Sequence, residues 1–340
     1  MTKAEFYTFF KKIPKAELHL HLEAVIATNT IQKLYKRRNP ALSDEKVSEE
    51  IEKLFTYSNL DGFIKAYLQV QDLYDSEDDF DLVFEDLKQY IVRNGISYTE
   101  IFAAPSAFIK KGFDFSKMVQ NYQKNVKKIK VETGVDVRIL IDVSRTFGEE
   151  NAEKNLQLLL ANRIPEIIGI GLGGAESKGP CRDFGNVFEK ARKNGLFAVA
   201  HAGEDEDAYS VWDAINVLKA ARIGHGITSI QDEKLMETLA AQKIPLEICP
   251  TSNVFTKKYV KRISEHPVRA FFDHGIPITL NTDDPLFFGV ELLDEYWNAY
   301  SKIKFKKAEL KKIILCSFES SFLSEEEKSN FKEKVEELWT

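Results

Sequence analysis

Four of the six histidines in this chain lie on or at the end of short apolar runs: His19 and His21 in AELHLHLEA, His201 in FAVAHAGE and His225 in RIGHG. Side chains alternate along a strand, so H-x-H sets two imidazoles on one face, where they can share a metal ion. His201 and the carboxylate pair Asp283 and Asp284, in NTDDP, end two further runs. Three imidazole nitrogens and one carboxylate oxygen suit Zn²⁺, one ion per chain, with a position left for water. Glu204 follows His201 by three residues, which puts it in the loop above such a metal, and His225 is placed to orient or deprotonate the water. Neighbours in extended chain point apart, so one of Asp283 and Asp284 can bind metal while the other hydrogen-bonds water or substrate. Each motif alone has a plainer reading: core histidines, a turn at HAGE, a tight strand end at GHG, a helix N-terminal acid cluster at DDP. Four such motifs, each at a strand terminus, argue for one site. His266 and His274 fall in a helical stretch and are read as incidental.

A common site requires elements that bring these termini together. Eight runs read as strands: 16–24, 98–105, 136–143, 167–174, 197–204, 222–226, 245–250 and 277–285. Segments of helical periodicity separate the later ones, such as YSVWDAINVLKAA and DEKLMETLAAQK, and strands alternating with helices imply a parallel sheet. Eight such units predict a closed (β/α)8 barrel of TIM type, whose catalytic residues gather at the C-terminal strand ends. A doubly wound sheet would offer a Gly-rich phosphate turn after its first strand, and none is present. Residues 25–97 read as a helical insertion over the mouth, and 290–340 as closing helices, within a single domain over 1–340. In the insertion Phe63 is either plain helix core or a lid contact to substrate.

Composition narrows the classes further. Hydrophobic residues make up 44% and charged residues 29%, ordinary for a soluble protein with a substantial core. The net charge of -6, with lysines interleaved among acids, gives no basic stripe for nucleic acid. Three widely spaced cysteines, without C-x-x-C, speak against a disulfide framework or a cysteine zinc site, and Cys181 and Cys249 read as packing residues. The N-terminus lacks the apolar core of a signal peptide, and no apolar run approaches the roughly 18–20 residues that span a bilayer. The expectation is a cytoplasmic enzyme of small molecules, with no nucleic-acid or membrane partner.

PKAELHLHLE, HAGE, RIGHG, CPTSN and NTDDP, in this order and at these separations, resemble the adenosine deaminase family over residues 14 to about 289. The resemblance implies a mononuclear zinc enzyme on a β/α barrel, with His19, His21, His201 and Asp283 as ligands. It makes Glu204, His225 and Asp284 the acid/base and orienting residues, and the backbone N–H of Gly174, in GIGLGG, a contact to a purine ring nitrogen. The implied reaction is hydrolytic deamination of a 6-aminopurine to the 6-oxo product and ammonia.

Substrate cues diverge. Adenosine-specific members usually read H-L-D-G after the metal histidines, whereas this chain has Glu23 and Ala24. Glu23, near the sugar side of the pocket, resembles the adenine deaminase branch, while IGIGLGGAESKGP is closer to aminodeoxyfutalosine deaminases. A purine nucleoside, adenosine or aminodeoxyfutalosine, is therefore ranked first as substrate and free adenine next. A binuclear amidohydrolase would bridge two metals with a lysine on strand four, but IIGIGLGG has none and Lys178 falls beyond it. An inactive barrel serving as a binding protein would normally have lost part of the ligand and acid/base set.

Overall fold

A computed structural model describes residues 1–57, 60–256 and 258–339. Among them eight strands form one parallel sheet: β1 Lys15–His21, β2 Ile96–Ala103, β3 Asp136–Asp142, β4 Ile167–Leu172, β5 Phe197–Ala202, β6 Arg222–His225, β7 Leu246–Ile248 and β8 Ile278–Leu280. They pair in sequence order from β1 to β8. The barrel closes beyond the end of β8. Asp283 N–H donates to His19 O at 3.1 Å, and His21 N–H donates to Asp283 O at 3.0 Å. The predicted strands are all present, each shorter at its C-terminal end, where the chain turns away to build the site.

β1 is buried along its whole length. That is the pattern of a strand covered on both faces, here by the barrel interior and a ring of helices. The interior also holds charge. Arg222, fully buried on β6, donates to Glu100 Oε2 of β2 at 2.6 Å and to Glu247 Oε1 of β7 at 2.5 Å, with its guanidinium stacked on Phe322, 4.0 Å from the ring centroid. Removing one member of such a buried set leaves an unpaired charge, which typically costs about 3–5 kcal/mol.

The first helix, α1 Lys3–Lys12, is followed after β1 by α2 Thr28–Arg38, α3 Asp44–Leu54, α4 Leu60–Asp72 and α5 Phe80–Asn94. α5 packs against β2, against the helix Phe115–Thr133 and against the turn Leu22–Ala24 that follows β1. Tyr57 Oη donates to Phe287 O at 2.7 Å, and the Phe63 ring of α4 stacks on Phe288 at 5.0 Å, with Phe255 and Phe287 beside it. Residues 290–340 carry the helices Leu292–Ser301, Lys307–Ser320 and Glu325–Leu338. No described helix is long and apolar enough to cross a membrane.

Glu295, fully buried on the helix Leu292–Ser301, accepts the Thr251 N–H at 2.8 Å and so ties the start of the helix Pro250–Thr256. Burial raises its carboxyl from 4.5 to about 7, against the bond from Thr251. Between those pH values the folded chain holds a proton that the unfolded chain does not. The associated stability is complete below about pH 4.5 and is lost as pH rises through 7. Glu295→Gln keeps an acceptor that never ionises. The expected result is a Tm advantage over wild type that grows by a few degrees from pH 4.5 to 8 in paired thermal melts. A difference flat across that range contradicts the buried proton.

Candidate active site

The C-terminal ends of β1, β5 and β8 deliver three imidazoles and one carboxylate to one point. His21 Nε2 lies 3.2 Å from His201 Nε2 and 3.2 Å from Asp283 Oδ1, and His19 Nε2 lies 3.4 Å from the same oxygen. A tetrahedron with arms of 2.0–2.1 Å has edges of about 3.3–3.4 Å, and these three separations fall close to that length. His19 Nε2 is buried and has no hydrogen-bond partner, as expected of an atom reserved for a ligand bond. The four residues form a buried group able to hold a metal ion.

Outer partners set the two best-defined rings. His19 Nδ1 meets Glu247 Oε2 at 2.7 Å, and His201 Nδ1 donates to the Leu172 carbonyl at 3.1 Å, which leaves each Nε2 lone pair facing the cluster. Ser252 Oγ donates to Asp283 Oδ2 at 2.6 Å. Burial alone would raise the Asp283 carboxyl, but the His19 and His21 imidazoles beside it outweigh that and hold it well below the usual range. Backbone strain marks the same place. Asp283 (φ +67°) and His225 (φ +63°) both occupy the left-handed region, which costs of order 1–3 kcal/mol each and persists where the surroundings enforce it.

The turn at Asp283 removes the extended chain on which the expectation that Asp283 and Asp284 point apart was based. The chain leaves β8 at Leu280 and is no longer extended at Asp283, and both carboxyls are buried. Burial, then the Asp283 charge, push the Asp284 carboxyl well above its ordinary value. Glu204 Oε2 stands 3.4 Å from His225 Nε2. Burial pushes the Glu204 carboxyl well above the carboxylate range, with the charges of Asp283, Asp205 and Glu176 adding to it, although a fifth of its side chain still reaches solvent. His225 is fully buried, and burial holds its imidazole down to about 3.

The remaining sequence candidates lie just past the ends of β1 and β4 and in α4. Glu23, buried in the 3-10 turn Leu22–Ala24, accepts the Ala104 N–H at 2.9 Å and stands 3.5 Å from the Tyr67 hydroxyl. Gly174 (φ +91°) follows β4. A Cβ there would meet Thr146 Oγ1 at 2.7 Å, so only glycine fits the turn. Phe63 sits in the aromatic group of α4 and the β8 loop, apart from the metal-binding atoms.

Sequence reasoning missed several supports. Glu176 Oε2 accepts the N–H groups of Glu204, Asp205 and Glu206 at 3.1, 2.7 and 2.6 Å, and so shapes the loop that carries Glu204. Glu247, Ser252, Asn253 and His266 were not singled out, and His266 is buried rather than incidental. A signal existed for Glu247 in PLEICP: an acid in an apolar strand of a closed barrel needs a buried partner.

Fold and site together define a (β/α)8 barrel that carries a buried group of three histidines and one aspartate, able to hold a metal ion, at the C-terminal ends of its strands. The chain belongs to the adenosine deaminase family, whose model matches residues 14–338. It is similar to an adenine deaminase of Acinetobacter baylyi, 33% identical over 96% of this chain and 98% of that one. It is equally similar to an aminodeoxyfutalosine deaminase of Streptomyces avermitilis, 35% identical over 95% of this chain and 90% of the relative. The crystal structure of an adenine deaminase from Arthrobacter aurescens superposes with a TM-score of 0.90 at 29% identity, covering 96% of this chain and 98% of that one. The protein is a hydrolase acting on C–N bonds.

Proposed function

We propose that the protein hydrolytically removes the 6-amino group of a purine, with free adenine as the preferred substrate, ahead of the nucleosides that the sequence ranks first. The observation that supports the base over a nucleoside is Glu23. Its longer side chain carries a buried carboxylate to the end of β1, where the Ala104 N–H and Tyr67 enclose it. A carboxylate in that position meets a ring N–H of a small base directly and leaves less room for a sugar. A specific feature favours a second reading. GIGLGGAESKGP and the 35% identity to the Streptomyces enzyme support a nucleoside with a bulky 5′ group.

His19, His21, His201 and Asp283 are the residues that would hold one Zn²⁺. Bound there, the metal supplies the Lewis acidity that makes water a nucleophile near neutral pH. Glu204, kept protonated by its surroundings, donates to the ring nitrogen beside the amino carbon and so offsets the negative charge that attack builds up. His225 and Asp284 orient the nucleophile, and Gly174 offers its N–H to another ring nitrogen. Departure of ammonia completes the exchange of C–NH2 for C=O.

Ammonia release from adenine, adenosine and a 5′-extended adenosine, measured side by side with zinc-loaded protein, tests the proposal. Fastest turnover of adenine is expected. Preference for the extended nucleoside would install the second reading, and no turnover of any of the three would refute purine deamination.

The aromatic group around Phe63 supports a lid role for α4. Phe63→Ala is expected to raise KM by roughly 5–10-fold, about 1–1.4 kcal/mol of binding, with kcat and Tm little changed. A drop in Tm at constant KM assigns Phe63 to packing alone.

A further inference from the structure

We propose that His266, acting through Asn253, fixes the tautomer of His225 so that Nε2 carries the proton and faces the site as a donor. The chain of bonds starts at a backbone amide, whose donor role cannot change. Val268 N–H donates to His266 Nδ1 at 3.0 Å, so that nitrogen has no proton and the ring proton of His266 sits on Nε2. His266 Nε2 lies 3.1 Å from Asn253 Oδ1, which accepts from it. With Oδ1 engaged there, the Asn253 amide nitrogen faces His225 Nδ1 at 3.1 Å and donates to it. His225 Nδ1 is therefore the acceptor, and the remaining imidazole proton lies on Nε2. Turning the Asn253 amide over would set its N–H2 against the His266 N–H and leave buried donors unpaired. All three side chains are buried, so bulk solvent offers no substitute partner.

The consequence falls on the site itself. His225 Nε2 stands 3.4 Å from Glu204 Oε2 and 4.0 Å from Asp283 Oδ2, and has no hydrogen-bond partner among the described residues. A bare Nε2 lone pair would make His225 a base. An Nε2–H makes it a donor that holds an incoming oxygen, so the sequence reading that His225 orients or deprotonates water narrows to orientation. The helix Pro250–Thr256 performs two tasks with consecutive residues, Ser252 toward Asp283 and Asn253 toward His225. His266 and Asn253 are positioning residues in this scheme. The deaminase reading enters only through the kinetic half of the test.

The test is ¹⁵N NMR of histidine-labelled, zinc-loaded protein, with the His225 signals identified by their loss in His225→Gln. A pyrrole-type Nε2 and a pyridine-type Nδ1 on His225 are expected. The reverse pattern overturns the proposal whatever the enzyme's substrate. His266→Leu is expected to give mixed tautomers at His225 and to lower kcat at least about tenfold, with KM within about twofold. His266→Gln, which restores an amide donor toward Asn253, is expected to recover both readouts. Should the leucine variant not fold, Asn253→Ala gives the same two readouts. An unchanged His225 spectrum in the leucine or alanine variant overturns the relay. A wild-type protein silent on every purine would instead sink the deaminase reading and leave the spectrum to stand alone.

Discussion

Glu204→Gln is expected to keep its metal and to lower kcat by roughly 10²–10⁴-fold, the range associated with loss of a positioned general acid. Gln has the shape of a protonated glutamic acid and can donate a hydrogen bond, but it cannot transfer the proton. Substrate should therefore still bind, and KM should move little while kcat falls. Glu204 contributes no atom to the group formed by His19, His21, His201 and Asp283, so zinc content is the internal control. Its loop is held independently, because Glu176 accepts backbone N–H groups from residues 204–206 whichever side chain stands at 204. Metal analysis of the purified variant and steady-state ammonia release on the best substrate separate the outcomes. A near-normal rate removes Glu204 from the proton transfer.

His19 and His21 were legible in the sequence because period-two alternation is a property of the strand itself, and both lie within β1, Lys15–His21. His201 and His225 were legible because each ends a strand, and barrel geometry gathers strand ends. The adjacent acids were legible as a pair, but not the backbone turn that carries them, in which Asp283 enters the left-handed region at φ +67°. No local pattern announces such a turn when the residue is not glycine. Glu176, Asn253 and His266 lay beyond reach for another reason. Each acts through a partner 13 to 30 residues away, so their pairing exists only once the barrel has closed.

The largest effect on the metal is expected at Asp283, where loss of the side chain should abolish binding. Asp283 Oδ1 lies 3.2 Å from His21 Nε2 and 3.4 Å from His19 Nε2, so it supplies the one anionic donor of the four. Three neutral imidazoles alone leave the divalent charge uncompensated in a buried setting, where an unpaired charge is most costly. Two substitutions are needed, because the backbone of Asp283 also closes the barrel between β8 and β1. Asp283→Ala puts a residue with no local hydrogen-bonding group into a left-handed conformation, at a cost of roughly 1–2 kcal/mol. Asp283→Asn tolerates that conformation and keeps the side-chain volume, but lacks the charge. Both variants should fail to retain zinc through dialysis, with Asp283→Asn closer to wild type in Tm when the two are compared without metal. Ser252→Ala sets the scale, since losing an outer partner typically costs about 10–100-fold in metal affinity and both Asp283 variants should exceed it. Full zinc content in Asp283→Asn would transfer the anionic role to Asp284, whose buried carboxyl is the nearest alternative in the chain.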